Sequence, residues 1–272
     1  MEYLVPPISS GSKDVDVVVT AVNDNPRYLK CVPWWFEFWK IASEHWPGAL
    51  VPVLLKFGDT VQASGLQRFH QNVVHIDVPT GIPSALASQV GRVIWPSAVP
   101  SELRAVITTD VDMFPINTEG LAKQVTNLSD RFVVFRNVLE HLSQFPICYS
   151  IASPDIWKQV VGTELGFNRK LQSVLDEFGP YDGRHGGVGW SIDQRALYQW
   201  VTDWEKSGGS VLRLTDRETN YRRLDRAFPQ SMVRFGMGLK RKNYWSSYHA
   251  HLPPERYEDT YRYLIKKITE SN

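Results

Sequence analysis

The stretch Ala105-Val-Ile-Thr-Thr-Asp110-Val-Asp112-Met-Phe-Pro115 decides how the rest of this chain is interpreted. Its first residues are apolar or β-branched, which predicts a buried strand at about 104–109. Two carboxylates follow one residue apart, and Pro115 ends the pattern. Buried carboxylates are costly unless their charge is balanced, and a divalent cation is the usual partner. The stretch therefore predicts a metal-binding turn at the end of a buried strand.

The composition is that of an ordinary globular protein. The chain has 272 residues, of which 43% are hydrophobic and 22% charged, enough for one large domain or two small ones. The formal net charge of +1 does not indicate binding to a nucleic-acid backbone. The two cysteines, Cys31 and Cys148, lie far apart and form no metal-ligand spacing. This usage favours two thiols in a reducing compartment.

Strands and helices alternate in the first half of the sequence, which predicts a largely parallel sheet. Expected strands lie at 16–22, 51–57 and 73–78, and expected helices at 33–46 and 83–95. Ligands of such sheets bind outside the carboxyl ends of the strands. Polar turns follow strands one, two and four, and we expect them to meet at that edge. These turns are Asn23-Asp24, Gly58-Asp59 and Asp110-Val111-Asp112.

The second half of the sequence is more mixed. Further strands are expected at 132–135, 148–152 and 211–214, and further helices at 154–161, 169–178 and 193–206, with a last helix ending near 269. A glycine-rich loop from Gly179 to Gly189 leads into the helix at 193–206. The basic stretch from Arg213 to Arg226 is expected mainly as a solvated face paired with neighbouring acids.

The order of these features resembles the GT-A fold of nucleotide-sugar glycosyltransferases. The order is strand with polar turn, strand with Gly-Asp, helix with Arg92, then strand with Asp110-Val111-Asp112. The resemblance implies a single α/β, Rossmann-like domain whose central, mainly parallel sheet is flanked by helices. It implies a leader at 1–14, a catalytic domain at 15–255 and a C-terminal helix at 256–272. Within the domain, 15–118 would bind the nucleotide and 119–255 the acceptor.

The resemblance also implies a donor site. The loop after the first strand would contact the nucleotide, Asp59 would face the base or ribose, and Arg92 would lie near the phosphates or sugar. A turn residue and a surface salt bridge are the alternatives for Asp59 and Arg92. Lys240 follows two glycines and is a candidate for a loop over the diphosphate. The expected donor residues are Val22, Asn23, Asp24, Asp59, Arg92, Asp110, Val111, Asp112 and Lys240.

Many such enzymes complete a metal site with a late histidine, so the resemblance implies a site made by Asp110, Asp112 and one histidine of His249-Ala-His251. His251 is favoured because Leu252-Pro-Pro254 would fix its backbone. Carboxylates with an imidazole suit Mn²⁺ at least as well as Mg²⁺. The expected cofactor is therefore Mn²⁺, or Mg²⁺.

The glycine-rich loop resembles the acceptor loop of the same enzymes. Asp193 would act as general base and take the proton of the acceptor hydroxyl in an inverting reaction, with Asp182 in reserve. Helix capping is the alternative for Asp193, and retention would follow if it only orients other groups. The usual Glu-Asp pair is replaced here by Ile192-Asp193. The expected acceptor or sugar residues are Gly187, Gly189, Trp190, Asp182 and His185.

These features predict a metal-dependent glycosyltransferase that uses a nucleoside-diphosphate sugar, with UDP favoured, and a glycan or other hydroxyl acceptor. Phosphohydrolases of the haloacid dehalogenase type carry their Asp-x-Asp on the first strand, which differs from this order. A pyrophosphorylase needs a glycine-rich basic loop after strand one, and Asn23-Asp-Asn-Pro26 lacks it. A non-catalytic glycan-binding module would leave the acid pair unused.

The N-terminal residues contain no basic segment followed by an apolar core, so they do not resemble a signal peptide. No apolar run in the sequence is long enough to cross a membrane. We therefore expect a cytoplasmic enzyme of bacterial or viral type, unless an N-terminal anchor has been removed.

Overall fold

The structure, a computed structural model, describes residues 14–58, 66–162, 164–184, 186–226 and 245–271. The expected site residues Asp59, His185 and Lys240 lie outside these described residues, as does nearly all of the expected leader.

The described strands form two sheets. The larger sheet has seven strands in the order β3-β2-β1-β4-β7-β6-β8, and the smaller has three in the order β5-β10-β9. The strands are β1 (Val15–Val22), β2 (Ala49–Phe57), β3 (Val73–Ile76), β4 (Ala105–Thr108), β5 (Met113–Pro115), β6 (Phe132–Val134), β7 (Ser150–Ala152), β8 (Val211–Arg213), β9 (Arg223–Leu224) and β10 (Ser247–His249).

Strand β1 lies at the centre of the large sheet and pairs in parallel with β2 and with β4. Val19 is in register with Val53 on one side and with Thr108 on the other. Strand β7 runs antiparallel to both of its neighbours, β4 and β6, and β6 pairs in parallel with β8. The expected mainly parallel sheet is therefore confirmed, with one reversed strand that the sequence did not predict.

Helices cover both faces of the large sheet. Helices α3, α5, α6 and α7 contribute to the core on one face, and α2 and α8 to the core on the other. The α-helices of the described residues are α1 (Pro26–Leu29), α2 (Val32–Ser43), α3 (Ser84–Ile94), α4 (Glu119–Thr126), α5 (Pro154–Val161), α6 (Phe167–Phe178), α7 (Ile192–Lys206) and α8 (Glu258–Ser271). No helix in the described part of the chain is both long and apolar enough to span a bilayer.

Strand β1 owes its central place to its sequence, Val-Asp-Val-Val-Val-Thr-Ala-Val, in which every residue is buried. Successive side chains of a strand point to opposite faces, so such a strand must be covered on both. Val17 and Val19 accordingly lie in the core beneath α3, whereas Val18 and Val22 lie in the core beneath α2.

The small sheet brings a late segment of the chain to the Asp-x-Asp turn. Strand β10 pairs antiparallel with β5, which directly follows Asp112, and parallel with β9. The amide of Ala250 donates a hydrogen bond of 2.8 Å to the carbonyl of Asp112. The sequence did not predict β5 or β9, and it predicted only an extended segment around β10.

Candidate active site

A cleft of about 340 Å³ opens at the carboxyl edge of β1 and β4, where the polar turns were expected to meet. Its walls come from the turns after these two strands, from α3, from the start of α7 and from the segment around β9 and β10. The expected residues that line it are Val22, Asn23, Arg92, Asp110, Val111, Asp112, Trp190 and Asp193.

The turn after β1 presents Asn23 to the cleft and Asp24 away from it. The Asn23 amide donates to the Ser84 hydroxyl on α3 at 3.2 Å, which fixes the turn against that helix. Asp24 forms an ion pair with Lys56, whose side chain is fully buried at the end of β2. A Cβ on Gly58 would lie 2.0 Å from the Asp24 carboxylate, so this close approach requires glycine. Asp24 thus links the ends of β1 and β2.

Arg92 of α3 bridges two carboxylates across the cleft. It forms an ion pair with Asp110, and its Nη2 lies 2.8 Å from Asp193 Oδ2. The Arg92 side chain is only 12% exposed, which excludes the surface salt bridge considered from the sequence. Burial alone would lower the pKa of Arg92, but Asp110 and Asp193 outweigh it and raise that pKa. The guanidinium is therefore a fixed positive charge in the cleft wall.

The Cys148 thiol lies directly behind Asp110. The Asp110 amide donates to Sγ at 2.8 Å, and Sγ lies 3.3 Å from Asp110 Oδ2. Burial, followed by the charge of Asp110, raises the pKa of Cys148, so the group remains a neutral thiol. Cys31 is also buried, and neither cysteine forms a disulfide. Cys148 therefore packs against the back of the Asp110 turn. The sequence did not predict this contact, because the two residues lie far apart in the chain.

Asp112 faces a histidine and an arginine. Its Oδ2 lies 2.7 Å from Arg226 Nη1 and 3.4 Å from His249 Nε2. Burial acts to raise the pKa of Asp112, but His249 and Arg226 together lower it below its ordinary value. The carboxylate is thus ionised at neutral pH. The sequence placed Arg226 on a solvated face, whereas the structure places it in the cleft.

Of the two late histidines, the structure brings His249, and not the favoured His251, to Asp112. His249 ends β10 and lines the cleft. The Nδ1 atom of His251 contacts the Tyr248 hydroxyl, and its ring lies 4.5 Å from the Tyr257 ring, centroid to centroid. Strand β10 ends at His249. The alternation of side-chain directions expected along an extended segment therefore does not reach His251.

The glycine-rich loop is held together by Asp182. Its carboxylate accepts hydrogen bonds from the amides of Arg184, at 2.9 Å, and Val188, at 3.1 Å. A Cβ on Gly187 would lie 2.6 Å from this carboxylate. Gly189 has φ +78° and lies against the Pro180 carbonyl. Asp182 and these glycines therefore shape the loop that carries Trp190 to the cleft.

Asp193 lies in the first turn of α7, with its carboxylate almost fully enclosed. Only 1% of the residue is exposed. Oδ2 pairs with Arg92, and Oδ1 accepts a hydrogen bond from the Gln194 amide at 2.9 Å. Burial raises the pKa of Asp193, with Arg92 acting in the opposite direction. Ser191, and not Asp193, is the residue at the N-cap.

Two glutamines that the sequence analysis missed also line the cleft. The side-chain oxygens of Gln89 and Gln194 are buried and have no hydrogen-bond partner within the described residues. Buried amide oxygens normally accept a hydrogen bond. Their positions were the only signal in the sequence. Gln89 lies one helical turn before Arg92, and Gln194 directly follows Asp193.

The described residues contain no cluster of three or more histidine, cysteine, aspartate or glutamate side chains that could hold a metal ion. The nearest arrangement is the pair Asp112 and His249, with Asp110 on the same turn. The cleft therefore presents two adjoining candidate ligands and three arginines, Arg27, Arg92 and Arg226.

Comparison with solved structures identifies the fold. No protein-family model matches the chain, and no curated protein matches it. The glycosyltransferase GlyE of Streptococcus pneumoniae TIGR4 superposes with a TM-score of 0.52 over 96% of this chain, at 13% identity. The bifunctional glycosyltransferase WbbM superposes with a TM-score of 0.54 over 98% of this chain, at 11% identity. This chain spans 63% of the GlyE chain and 53% of the WbbM chain. It has the fold of the GT-A glycosyltransferases.

Proposed function

We propose that this protein is a metal-dependent glycosyltransferase that transfers a sugar from a nucleoside-diphosphate sugar to a hydroxyl acceptor. One observation carries the proposal: Asp112 and His249 converge, beside Arg92 and Arg226, in a cleft at the carboxyl edge of a GT-A sheet. Such an edge is where ligands of parallel sheets bind. A diphosphate needs positive charge, and this cleft combines three arginines, Arg27, Arg92 and Arg226, with a pair of candidate metal ligands.

The chemistry of the donor set fits a divalent cation. Asp112 supplies an ionised oxygen, and His249 Nε2 lies 3.4 Å from it, close enough for one ion to contact both. Imidazole beside carboxylate suits Mn²⁺, and Asp110 is the third protein candidate. When bound, the ion would neutralise charge on the departing diphosphate. The earlier expectation of a histidine ligand is therefore transferred from His251 to His249.

Arg226 supports binding of the diphosphate. Its guanidinium lies 2.7 Å from Asp112 Oδ2, the oxygen that also faces His249. A cation bound at Asp112 would displace this guanidinium, which would then be available to the phosphate oxygens. Arginine recognises phosphate through parallel N–H donors, so the exchange keeps every charge paired.

The sugar would lie between α3 and the start of α7. Gln89 and Gln194 present buried amide oxygens there, which would accept hydrogen bonds from sugar hydroxyls. Trp190, whose indole could stack on a sugar ring, lines the same cleft. An aromatic face and unfilled acceptor atoms are the two features that a sugar ring, apolar on its faces and polar at its edge, requires.

We assign Asp193 to positioning Arg92. Both of its oxygens are engaged and only 1% of the residue is exposed, which suits an anchor better than a general base. The other carboxylates that line the cleft within the described residues are Asp110 and Asp112, on the donor side. We therefore expect retention of anomeric configuration. Following the product anomer by ¹H NMR tests this point, and inversion would restore Asp193 as general base.

The test of the proposed function is isothermal titration with UDP and GDP, each with and without Mn²⁺. Wild type should bind one nucleotide tightly and only with metal, and Asp112→Ala should weaken that binding by roughly 100-fold. Asp155→Ala, which removes an exposed carboxylate on α5, is the matched control and should bind as wild type.

Absence of binding to either nucleotide would contradict the proposal. Metal-independent binding that Asp112→Ala leaves unchanged would also contradict it. Release of phosphate from p-nitrophenyl phosphate would then favour the phosphohydrolase alternative.

A further inference from the structure

We propose that Asp225 is a positioning residue that fixes the His249 imidazole in the tautomer whose Nε2 can bind the metal ion. The inference rests on the proposed function, because it concerns the same site. Asp225 belongs to the basic stretch that the sequence analysis assigned to a solvated face.

The backbone brings Asp225 to His249. Strands β9 and β10 pair in parallel, with Arg223 opposite Ser247 and Leu224 opposite Tyr248. One further step in this register places Asp225 beside His249. One residue further on, the Arg226 guanidinium donates to the Ala250 carbonyl at 3.0 Å, which holds the two segments together beyond the strands.

The imidazole of His249 lies between two carboxylates. Nε2 lies 3.4 Å from Asp112 Oδ2, and Nδ1 lies 3.5 Å from Asp225 Oδ1. Nδ1 is buried and has no hydrogen-bond partner within the described residues, and Asp225 Oδ1, 3.5 Å away, is the carboxylate oxygen that would accept a hydrogen bond from it after a small movement of the ring. A neutral imidazole carries one proton, and a proton held on Nδ1 leaves the Nε2 lone pair for the ion.

Asp225 is itself held in place. Its side chain is 13% exposed and forms an ion pair with Arg223, two residues earlier on β9. A carboxylate that accepts the outer N–H of a metal-binding histidine fixes the orientation of the ring and raises its basicity. Loss of such a partner typically weakens metal binding by roughly 10- to 100-fold.

The experiment measures Mn²⁺ affinity without nucleotide, from the electron paramagnetic resonance signal of free Mn²⁺, in four variants. Asp225→Ala should weaken binding by roughly 10- to 100-fold, and Asp225→Asn, whose amide oxygen still accepts a hydrogen bond, should weaken it less. His249→Ala should bind more weakly than either. The matched control, Asp216→Asn, removes a carboxylate that pairs with Arg136 and should leave the affinity unchanged.

A second readout separates positioning from general destabilisation. Long-range ¹H–¹⁵N NMR of the metal-free protein should show His249 protonated on Nδ1 in wild type and a mixture of tautomers in Asp225→Ala. Unchanged Mn²⁺ affinity or an unchanged tautomer in Asp225→Ala, together with weak binding by His249→Ala, would overturn the role of Asp225 alone. Unchanged affinity in His249→Ala would overturn the proposed metal site itself. If Asp225→Ala does not fold, Asp225→Asn carries both measurements.

Discussion

The two ends of the central strands hold buried carboxylates in different ways. Near the amino end of β1, Asp16 is fully buried and accepts hydrogen bonds from Arg104, at 2.5 and 3.0 Å, and from the Trp46 indole, at 2.6 Å. At the carboxyl edge, Asp110 and Asp112 also pair with arginines, but those pairs line an open cleft.

The difference lies in what else can reach the charges. The Asp16 carboxylate is fully buried, although its partner Arg104 is 21% exposed, so a ligand cannot reach the negative charge of this pair. In the cleft a ligand can replace a guanidinium. Enclosed ion pairs contribute little net stability, because desolvation offsets most of their attraction. Ion pairs at a cleft leave the same charges available for binding.

The largest expected effect concerns the ion pairs that Arg92 makes in the cleft. Arg92→Ala should lower kcat/KM for sugar transfer by about 1,000-fold, since one fixed donor at a reacting centre contributes 10²- to 10³-fold and two anchored carboxylates are released here. Steady-state kinetics measures it. Arg92→Lys should recover only part of the activity, because one ammonium group cannot span Asp110 and Asp193. Full activity in Arg92→Ala would place the sugar elsewhere.

The next effect concerns the ion pair between the buried Asp16 and Arg104. Arg104→Ala should lower the free energy of unfolding at pH 7 by about 3 kcal/mol, because it leaves Asp16 buried without its partner. Urea unfolding measures this loss, and the folded variant should still bind nucleotide. Lys158→Ala, at an exposed pair with Asp155, should cost less than about 1 kcal/mol.

The loss in Arg104→Ala should shrink as the pH falls from 7 to 5. Burial raises the pKa of Asp16, and Arg104 counteracts that rise. Without Arg104, the folded state binds the Asp16 proton more tightly than the unfolded state does, so acidification stabilises the variant relative to wild type. A loss that is equal at both pH values would contradict this account.

A smaller effect tests whether a metal ion displaces the Arg226 guanidinium from Asp112. Arg226→Ala should tighten Mn²⁺ binding without nucleotide by several-fold, because it removes a competing cation from Asp112. The same variant should weaken binding of the nucleotide by about tenfold, equal to about 1.4 kcal/mol. Isothermal titration measures both changes, and Arg226→Lys should lie between. Equal weakening of metal and nucleotide binding would indicate a purely structural role.

The smallest effect concerns the packing behind the cleft. Burial raises the pKa of both Cys31 and Cys148 above the usual value for a thiol. Neither should react with Ellman's reagent in the folded protein at pH 8, and both should react in urea. Rapid reaction of Cys148 in the folded protein would show that the wall behind Asp110 opens.

The sequence predicted those parts of the site that follow directly from a buried strand. An apolar run that ends in polar residues marks the carboxyl edge of a parallel sheet, so Asn23, Asp110 and Asp112 were found from local pattern alone. Arg92 was named only because of the resemblance to GT-A enzymes, in which the helix before the Asp-x-Asp strand often carries a basic residue.

The remainder depends on pairings between distant segments. Strands β5, β9 and β10 have two or three residues each and pair with one another, and no longer apolar run marks them in the sequence. That pairing selects His249 over His251 and brings Arg226 to Asp112. The charge pattern around Arg226 looked solvated because its partner lies in another part of the chain. The reversal of β7 is similarly a property of the sheet as a whole.

The pairing of β5 with β10 also sets an order in time. The ribosome synthesises the Asp110–Asp112 turn well before Ser247–His249. Strand β5 therefore has no β10 to pair with while the intervening segments are made. Until then Asp112 lacks His249, and the nascent chain can form most of the large sheet while the cleft is incomplete. On the proposed function, the donor site would therefore be completed late in biosynthesis, when β10 pairs with β5.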